Sequence, residues 1–511
     1  MIRSQALLGW LDDRSDWLSP LVVKEVRQVV RGREFNLSFG ASLVAGLGIA
    51  FSGAGVALTG DGTSGGWTFI ALMGCLAFLG LAVVPLGAFN ALRQERAEQT
   101  LELITLTALS PRRVVIGKLL AQGVKLATLF AAMAPFIAMS FLLGGIDFVT
   151  ILISLVLLFM WSLWGCAGCV FLSTLFKSRA MSGVIFGVAG IVVILALTMG
   201  RSLLFAMSRG VPVFAPLGSG PTGSPLILSL AIATTIWLTT IVNLVLLAEN
   251  RLLLPTEDRV TPLRVGFFVQ FLLIAAWTLA FHNDPPSVRA MAAQMLALIG
   301  GGHLAIVATF TVTEDLTVSR QMLRRMTSSS PWRWLIAIFR PGGGRGAAYV
   351  LVQMAILLAA AWWFQPAWIQ ARWLLAICAY ICFFTGVPTV AFRYLAPSRA
   401  TPLKLRVAVL VLVAGSMVLP DIVHYLTFRP DMLDLSYSAR HLINPVRTLA
   451  NWPTVETNQW LWMPFAIGLT GLLAYGALIH KGLRAPEQPA SIDPQRRAAA
   501  AGGLGRADLI D

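Results

Sequence analysis

Apolar runs of about twenty residues recur along the whole of this 511-residue chain, and nothing else in it restricts the fold so strongly. Wound as a helix, a run of that length crosses the hydrocarbon core of a bilayer. The lipid interior offers backbone N–H and C=O groups no partners, so the crossing segments must be helices. The chain therefore reads as an all-α polytopic membrane protein. Only 12% of its residues are charged and 57% are hydrophobic. The charged share is about half that of a soluble globule, which excludes an ordinary cytosolic enzyme.

Twelve spans are expected, at about 36–59, 67–91, 113–143, 149–175, 181–199, 225–248, 263–282, 289–312, 347–365, 371–395, 403–426 and 459–481. With the N-terminus in the cytoplasm, the inner segments hold 31 of the 39 Lys and Arg. Cytoplasmic loops are the ones that gather Lys and Arg, so both termini are expected inside and the chain in the cell membrane. The net charge of +15 then belongs to topology and to anionic lipid, not to nucleic acid. The N-terminus carries three aspartates and no continuous apolar core, unlike a signal peptide. Residues 482–511 read as a disordered cytoplasmic tail. No outer loop is large enough for a folded domain.

Two segments break the apolar pattern. Ser19–Glu34 starts with a Ser cap and with Pro20 at the first helical position. Val22, Val26, Val29 and Val30 line one face, and Lys24, Arg27, Gln28, Arg31 and Arg33 the other. This is the pattern of an interfacial amphipathic helix. The second segment, 92–118, carries Glu95, Glu98 and Glu102 at helical spacing and then restarts at Ser110-Pro111. An acidic face beside an anionic leaflet makes sense if a basic protein partner covers it. The plainer alternative is juxtamembrane padding with no partner.

The order of these tokens resembles a permease subunit of an ABC transporter, of the type 2 exporter class. A P-x-x-x-K-E-x-R interfacial helix (Pro20, Lys24, Glu25, Arg27) precedes two spans. Glu95, Arg96, Thr100, Leu101, Glu102, Leu103, Thr107, Ser110, Pro111, Gly117 and Lys118 then follow at set spacing. Where the family usually has Gly before the Thr-Leu-Glu, this chain has Gln99. The resemblance implies that the first helix is the elbow helix. It also implies that 92–118 is the coupling segment, docking onto a separate ABC ATPase subunit that carries ATP and Mg. A second permease chain is a further implied partner, besides the lipid bilayer.

A shift of 220 residues lays Ser110-Pro111-x-Arg113-x-x-Ile116 on Ser330-Pro331-x-Arg333-x-x-Ile336, and Ser178-Arg179-Ala180 on Ser398-Arg399-Ala400. Two identities at one offset, with spans in phase, indicate a duplicated six-span unit. The expected organisation is an N-terminal segment 1–35, a first unit 36–248, a divergent second unit 249–481 and the tail. The second inner loop, 313–346, is basic where the first is acidic, and its "PGGGRG" reads as a flexible linker.

No G-x-x-x-x-G-K-[ST] motif occurs, so hydrolysis of ATP is expected on another polypeptide and the chain is not itself an enzyme. No catalytic, metal or cofactor residues are assigned to it. Two ionisable residues lie inside spans and are functional candidates on that ground, Lys125 and His303. The bland readings are a lysine that snorkels to the inner surface and a packing histidine. Cys166 and Cys169, and likewise Cys378 and Cys382, read as small packing residues. Acidic residues are almost absent from span centres, which weakens a secondary carrier because proton and sodium relays need them. A non-transporting membrane scaffold is the other alternative.

Overall fold

A computed structural model describes residues 20–58, 64–97, 111–175, 225–253, 258–279, 286–314, 337–364, 368–428 and 439–484, except 145, 147, 398–399, 453–454, 456–459 and 461. Among the described residues the regular structure is helical throughout. Among the described residues, nine helices are long and apolar enough to cross a membrane, and two shorter apolar helices cover Thr261–Trp277 and Leu296–Val312. The chain is an all-α, multi-pass membrane protein. The span expected at 181–199 lies outside the described residues.

Contacts divide the chain into two compact units, Met1–Leu253 and Leu254–Asp511. In the first, α1 (Pro20–Arg31) leads into α2 (Arg33–Leu58). Next come α3 (Ser64–Phe78), a π-turn (Leu79–Val83) and α4 (Val84–Ala97), together one span. The π-turn has a local cause, because Pro85 lacks the N–H that would continue the α-helical ladder. The unit closes with α5 (Pro111–Leu142), α6 (Phe148–Leu175) and α7 (Pro225–Leu252). Its core joins Leu72, Leu76, Leu92, Leu126, Leu129, Met133, Cys166 and Ala248. Of the five glycines on α2, Gly46 and Gly53 meet Phe136 and Thr68, while Gly40, Gly48 and Gly55 face nothing within 4 Å. Small residues let helices approach in lipid, and here one of the two rows does so.

The second unit runs through α8 (Thr261–Leu279), α9 (Pro286–Val312), α10 (Gly343–Phe364), α11 (Trp368–Leu395) and α12 (Pro402–Phe428). A 3₁₀ turn (Ala439–Ile443) and α13 (Pro445–Ala450) then lead to α14 (Trp462–Arg484). Asp258 caps α8 by accepting from Val260 N and Thr261 N at 3.1 and 3.0 Å. The short elements between α12 and α14 are well anchored. Asn444 caps α13 and donates to Met417 O, while Tyr380 and Trp373 donate to Leu442 O and Leu449 O.

Helix pairings recur between the units. Within the first, the second span packs on the third and fourth, the sixth on the third and fourth, and the first on the second and third. Within the second, α9 packs on α10 and α11, α14 on α10 and α11, and α8 on α9 and α10. At the 220-residue shift, α6 falls on 368–395, the bounds of α11.

One expectation needs correcting. The "PGGGRG" run is not a flexible linker, because Gly343, Gly344, Arg345 and Gly346 form the first turn of α10. A Cβ on Gly344 would come within 2.5 Å of Leu478 O, and one on Gly346 within 2.1 Å of Thr311 O. These glycines are where neighbouring backbones touch. Gly342 just before them has φ +126°, a conformation that favours glycine.

Candidate functional site

The first unit gathers its charge at one end of α5. Gly32 separates the amphipathic α1 from the long apolar α2, with Gly32 N donating to Val29 O and Asn36 N to Gly32 O. The chain bends there, so α1 lies along α5 as well as against α2. Lys24, Arg27 and Arg31 are exposed, while Val22, Val26, Val29 and Val30 are half-buried, as the amphipathic pattern requires.

Glu25 points the other way. It is buried against α5, where Lys118 Nζ lies 3.3 Å from Oε2 and 3.4 Å from Oε1. Both residues are nearly inaccessible, at 6% and 3% exposure. A buried ion pair adds little net stability, but losing one partner strands the other charge at a cost of about 3–5 kcal/mol. Such a pair holds two elements in one register. Lys118 lies two turns inside α5, which begins at Pro111 directly after the segment 98–110.

Gln122 and Lys125 continue the polar face of α5 at positions four and seven after Lys118. Both are buried. Together with Glu25, Glu34, Asn90 and Lys118 they line a cavity of about 330 Å³ between α1, α2, α4 and α5. Lys125 therefore does not snorkel to the inner surface. Its ammonium faces Glu34 across the bare side of Gly87, because a Cβ at 87 would lie 3.6 Å from Lys125 Nζ and 3.7 Å from Glu34 Oε2.

The helix α4 continues unbroken to Ala97, so Glu95 and Arg96 prolong the helix of the second span past its end at Gln94. Glu98, Thr100, Leu101, Glu102, Thr107 and Ser110 lie outside the described residues. Arg320, Arg324 and Arg325 in the second inner loop do so as well. His303 takes a packing role in the second unit. Its Nε2 lies 3.2 Å from Phe267 O, and its ring stacks on Phe271 and meets Phe267 edge-on. Cys166, Cys169, Cys378 and Cys382 are free and buried among helices.

The second unit has a corresponding polar end with a different design. Arg264 is fully buried at the foot of α8 and pairs with Glu314 at 2.5 Å. It donates to Ile338 O and Arg340 O at 2.8 and 2.6 Å and to Gly342 O at 3.2 Å. Tyr349 donates to Arg264 O. Arg393 donates to Glu314 O, and Arg406 to Thr313 Oγ1 and Phe310 O. Burial pushes the Glu314 carboxyl above its ordinary value, with the Arg264 guanidinium pulling against that shift. Three arginines from three helices thus satisfy the carbonyls that α9 and the turn before α10 would leave orphaned. Neither Arg264–Glu314 nor Gln122 stood out in the sequence. The repeat Lys118, Gln122, Lys125 on an otherwise apolar helix was the signal for the latter.

The chain matches no family model, no curated protein and no solved structure.

Proposed function

We propose that this chain is the membrane-spanning permease of an ATP-driven exporter of the ABC type 2 class, working with a separate ATPase that carries ATP and Mg. The observation that carries this reading is the Glu25–Lys118 pair. It ties the interfacial helix to the foot of the third span, immediately after the segment that resembles a coupling helix. Movement of 92–118 by a cytoplasmic motor would shift the first turns of α5. Through Lys118 and Glu25 that shift would reach α1, with the bend at Gly32 free to change angle against α2. A juxtamembrane pad would have no use for a buried, charge-locked contact.

The proposed arrangement is twelve spans with both termini in the cytoplasm of a cell membrane, built from two duplicated six-span units. The matching helix pairings and the common bounds of α6 and α11 support duplication. The units differ where a motor would dock. Only eight residues separate the end of α7 at Leu252 from the start of α8 at Thr261, too few for a second twelve-residue elbow helix. The first unit is therefore the proposed site of engagement, by way of Glu95, Arg96, Glu98, Thr100, Leu101, Glu102, Thr107, Ser110, Pro111 and Lys118.

The test is co-purification of the chain with a cytoplasmic ATPase, repeated with Glu98→Arg and Glu102→Arg together. A partner that is retained by the natural chain and lost on charge reversal upholds the coupling. An intact, folded chain that retains no ATPase from its own cells favours the membrane scaffold.

A further inference from the structure

Lys125 and Glu34 face one gap without closing it. Lys125 is 3% exposed, yet among the described residues it makes no hydrogen bond and no ion pair. Gln122, one turn before it and 4% exposed, has an Oε1 with no partner. Lys118, the other cation on that face, is already paired with Glu25. The cavity thus brings together the Lys125 ammonium, an uncommitted amide oxygen and the exposed Glu34 carboxylate, with the exposed Arg33 also on its lining. Leaving a buried charge unpaired is expensive, so the arrangement calls for a complement. A single bridging water does not account for the space, because it needs only about 10–15 Å³ and the cavity offers about 330 Å³.

The complement must itself carry both signs. An anionic oxygen belongs on Lys125 Nζ, and a donor or cation on Glu34 and Gln122 Oε1. The location narrows the source. The cavity is lined in part by Glu25, Gln28 and Val29 of α1, a helix whose apolar face and exposed Lys24, Arg27 and Arg31 suit headgroup depth. We propose that this cavity binds the headgroup of a membrane phospholipid that joins a phosphate to a primary ammonium, the phosphate on Lys125 and the ammonium against Glu34. This needs only that the chain lies in a bilayer, and it is independent of any ATPase.

The probe is phosphatidylethanolamine, with phosphatidylglycerol and soluble phosphoethanolamine as comparisons, titrated into the delipidated full-length chain and read by native mass spectrometry. One tightly retained phosphatidylethanolamine per chain is expected. Lys125→Met should weaken retention about tenfold or more, the worth of one charge-assisted hydrogen bond, and Lys125→Arg should restore it. Glu34→Gln should shift preference from phosphatidylethanolamine to phosphatidylglycerol. Gly87→Leu leaves both charges in place and fills the gap from the opposite wall, where an added Cβ makes only ordinary contacts, and it should also expel the lipid. Equal lipid retention by natural, Lys125→Met and Gly87→Leu chains would overturn the proposal. So would full displacement of the lipid by equimolar phosphoethanolamine, which would make this a site for a soluble phosphate ester.

Discussion

Glu25 and Lys118, 93 residues apart in the chain, meet at 3.3 Å in a contact almost closed to solvent. One stands on an interfacial helix and the other two turns inside a span, so the pair fixes how the first element rides on the second. Removing one charge and removing both should differ sharply. Glu25→Gln or Lys118→Met alone is expected to cost about 3–5 kcal/mol, and the double replacement much less. Thermal unfolding of all four chains as a double-mutant cycle measures this. Additive losses would mean that the two charges are not coupled, and the lever described above would lose its joint.

The start of α10 makes a prediction of opposite character, since it depends on what is missing. Gly346→Ala would drive a methyl to 2.1 Å from Thr311 O, and Gly344→Ala to 2.5 Å from Leu478 O. Backbone cannot yield as a side-chain tip can, so each should destabilise the second unit by at least the 1–3 kcal/mol typical of overpacking. Gly302→Ala in α9 meets nothing within 4 Å and gains about 1 kcal/mol of helix propensity. Detergent-resistant folding, followed by fluorescence-detected size exclusion against temperature, should separate the first two variants from the third.

Among the described residues the apolar helices were legible because hydropathy is local, and a bilayer imposes one length on every crossing. The interfacial helix was legible for the same reason, its valines recurring at the helical period. The partnerships were not. Nothing in the residues between them states that Glu25 and Lys118 touch, and Lys125 looks like any lysine near a span end until Gly87 and Glu34 stand opposite it. The glycine run at 341–346 misled because its composition serves flexibility and close approach equally well. Only the neighbouring backbones of Thr311 and Leu478 decide between them. The segment 98–110, which the resemblance rests on most, lies outside the described residues.

Arg264 tests whether shape or charge closes the second unit. It reaches Glu314 and three backbone carbonyls from one planar group. Lysine carries the charge but not the fork. Arg264→Lys should therefore destabilise nearly as much as Arg264→Ala, several kcal/mol in either case, since buried acceptors are left unmet. A lysine variant as stable as the natural chain, judged by its melting temperature, would assign the role to charge alone.

Orientation gives the most economical check on the functional reading. A motor that binds ATP works from the cytoplasm, so 92–118 must face it. In a chain whose own five cysteines are replaced, Glu102→Cys should resist an impermeant maleimide in intact cells and react once the membrane is opened. Ser219→Cys, in a loop expected on the opposite face, should react in both conditions and shows that the reagent reaches the chain. Basic residues underlie this expectation, with 31 of 39 on the inner side of the twelve-span reading. An odd number of spans would scatter that asymmetry, so labelling at a second inner position, Ser329→Cys, tests the count as well as the orientation. If Glu102→Cys reacts in intact cells, the acidic segment faces away from any ATPase, and the exporter reading fails whatever Glu25 and Lys118 do.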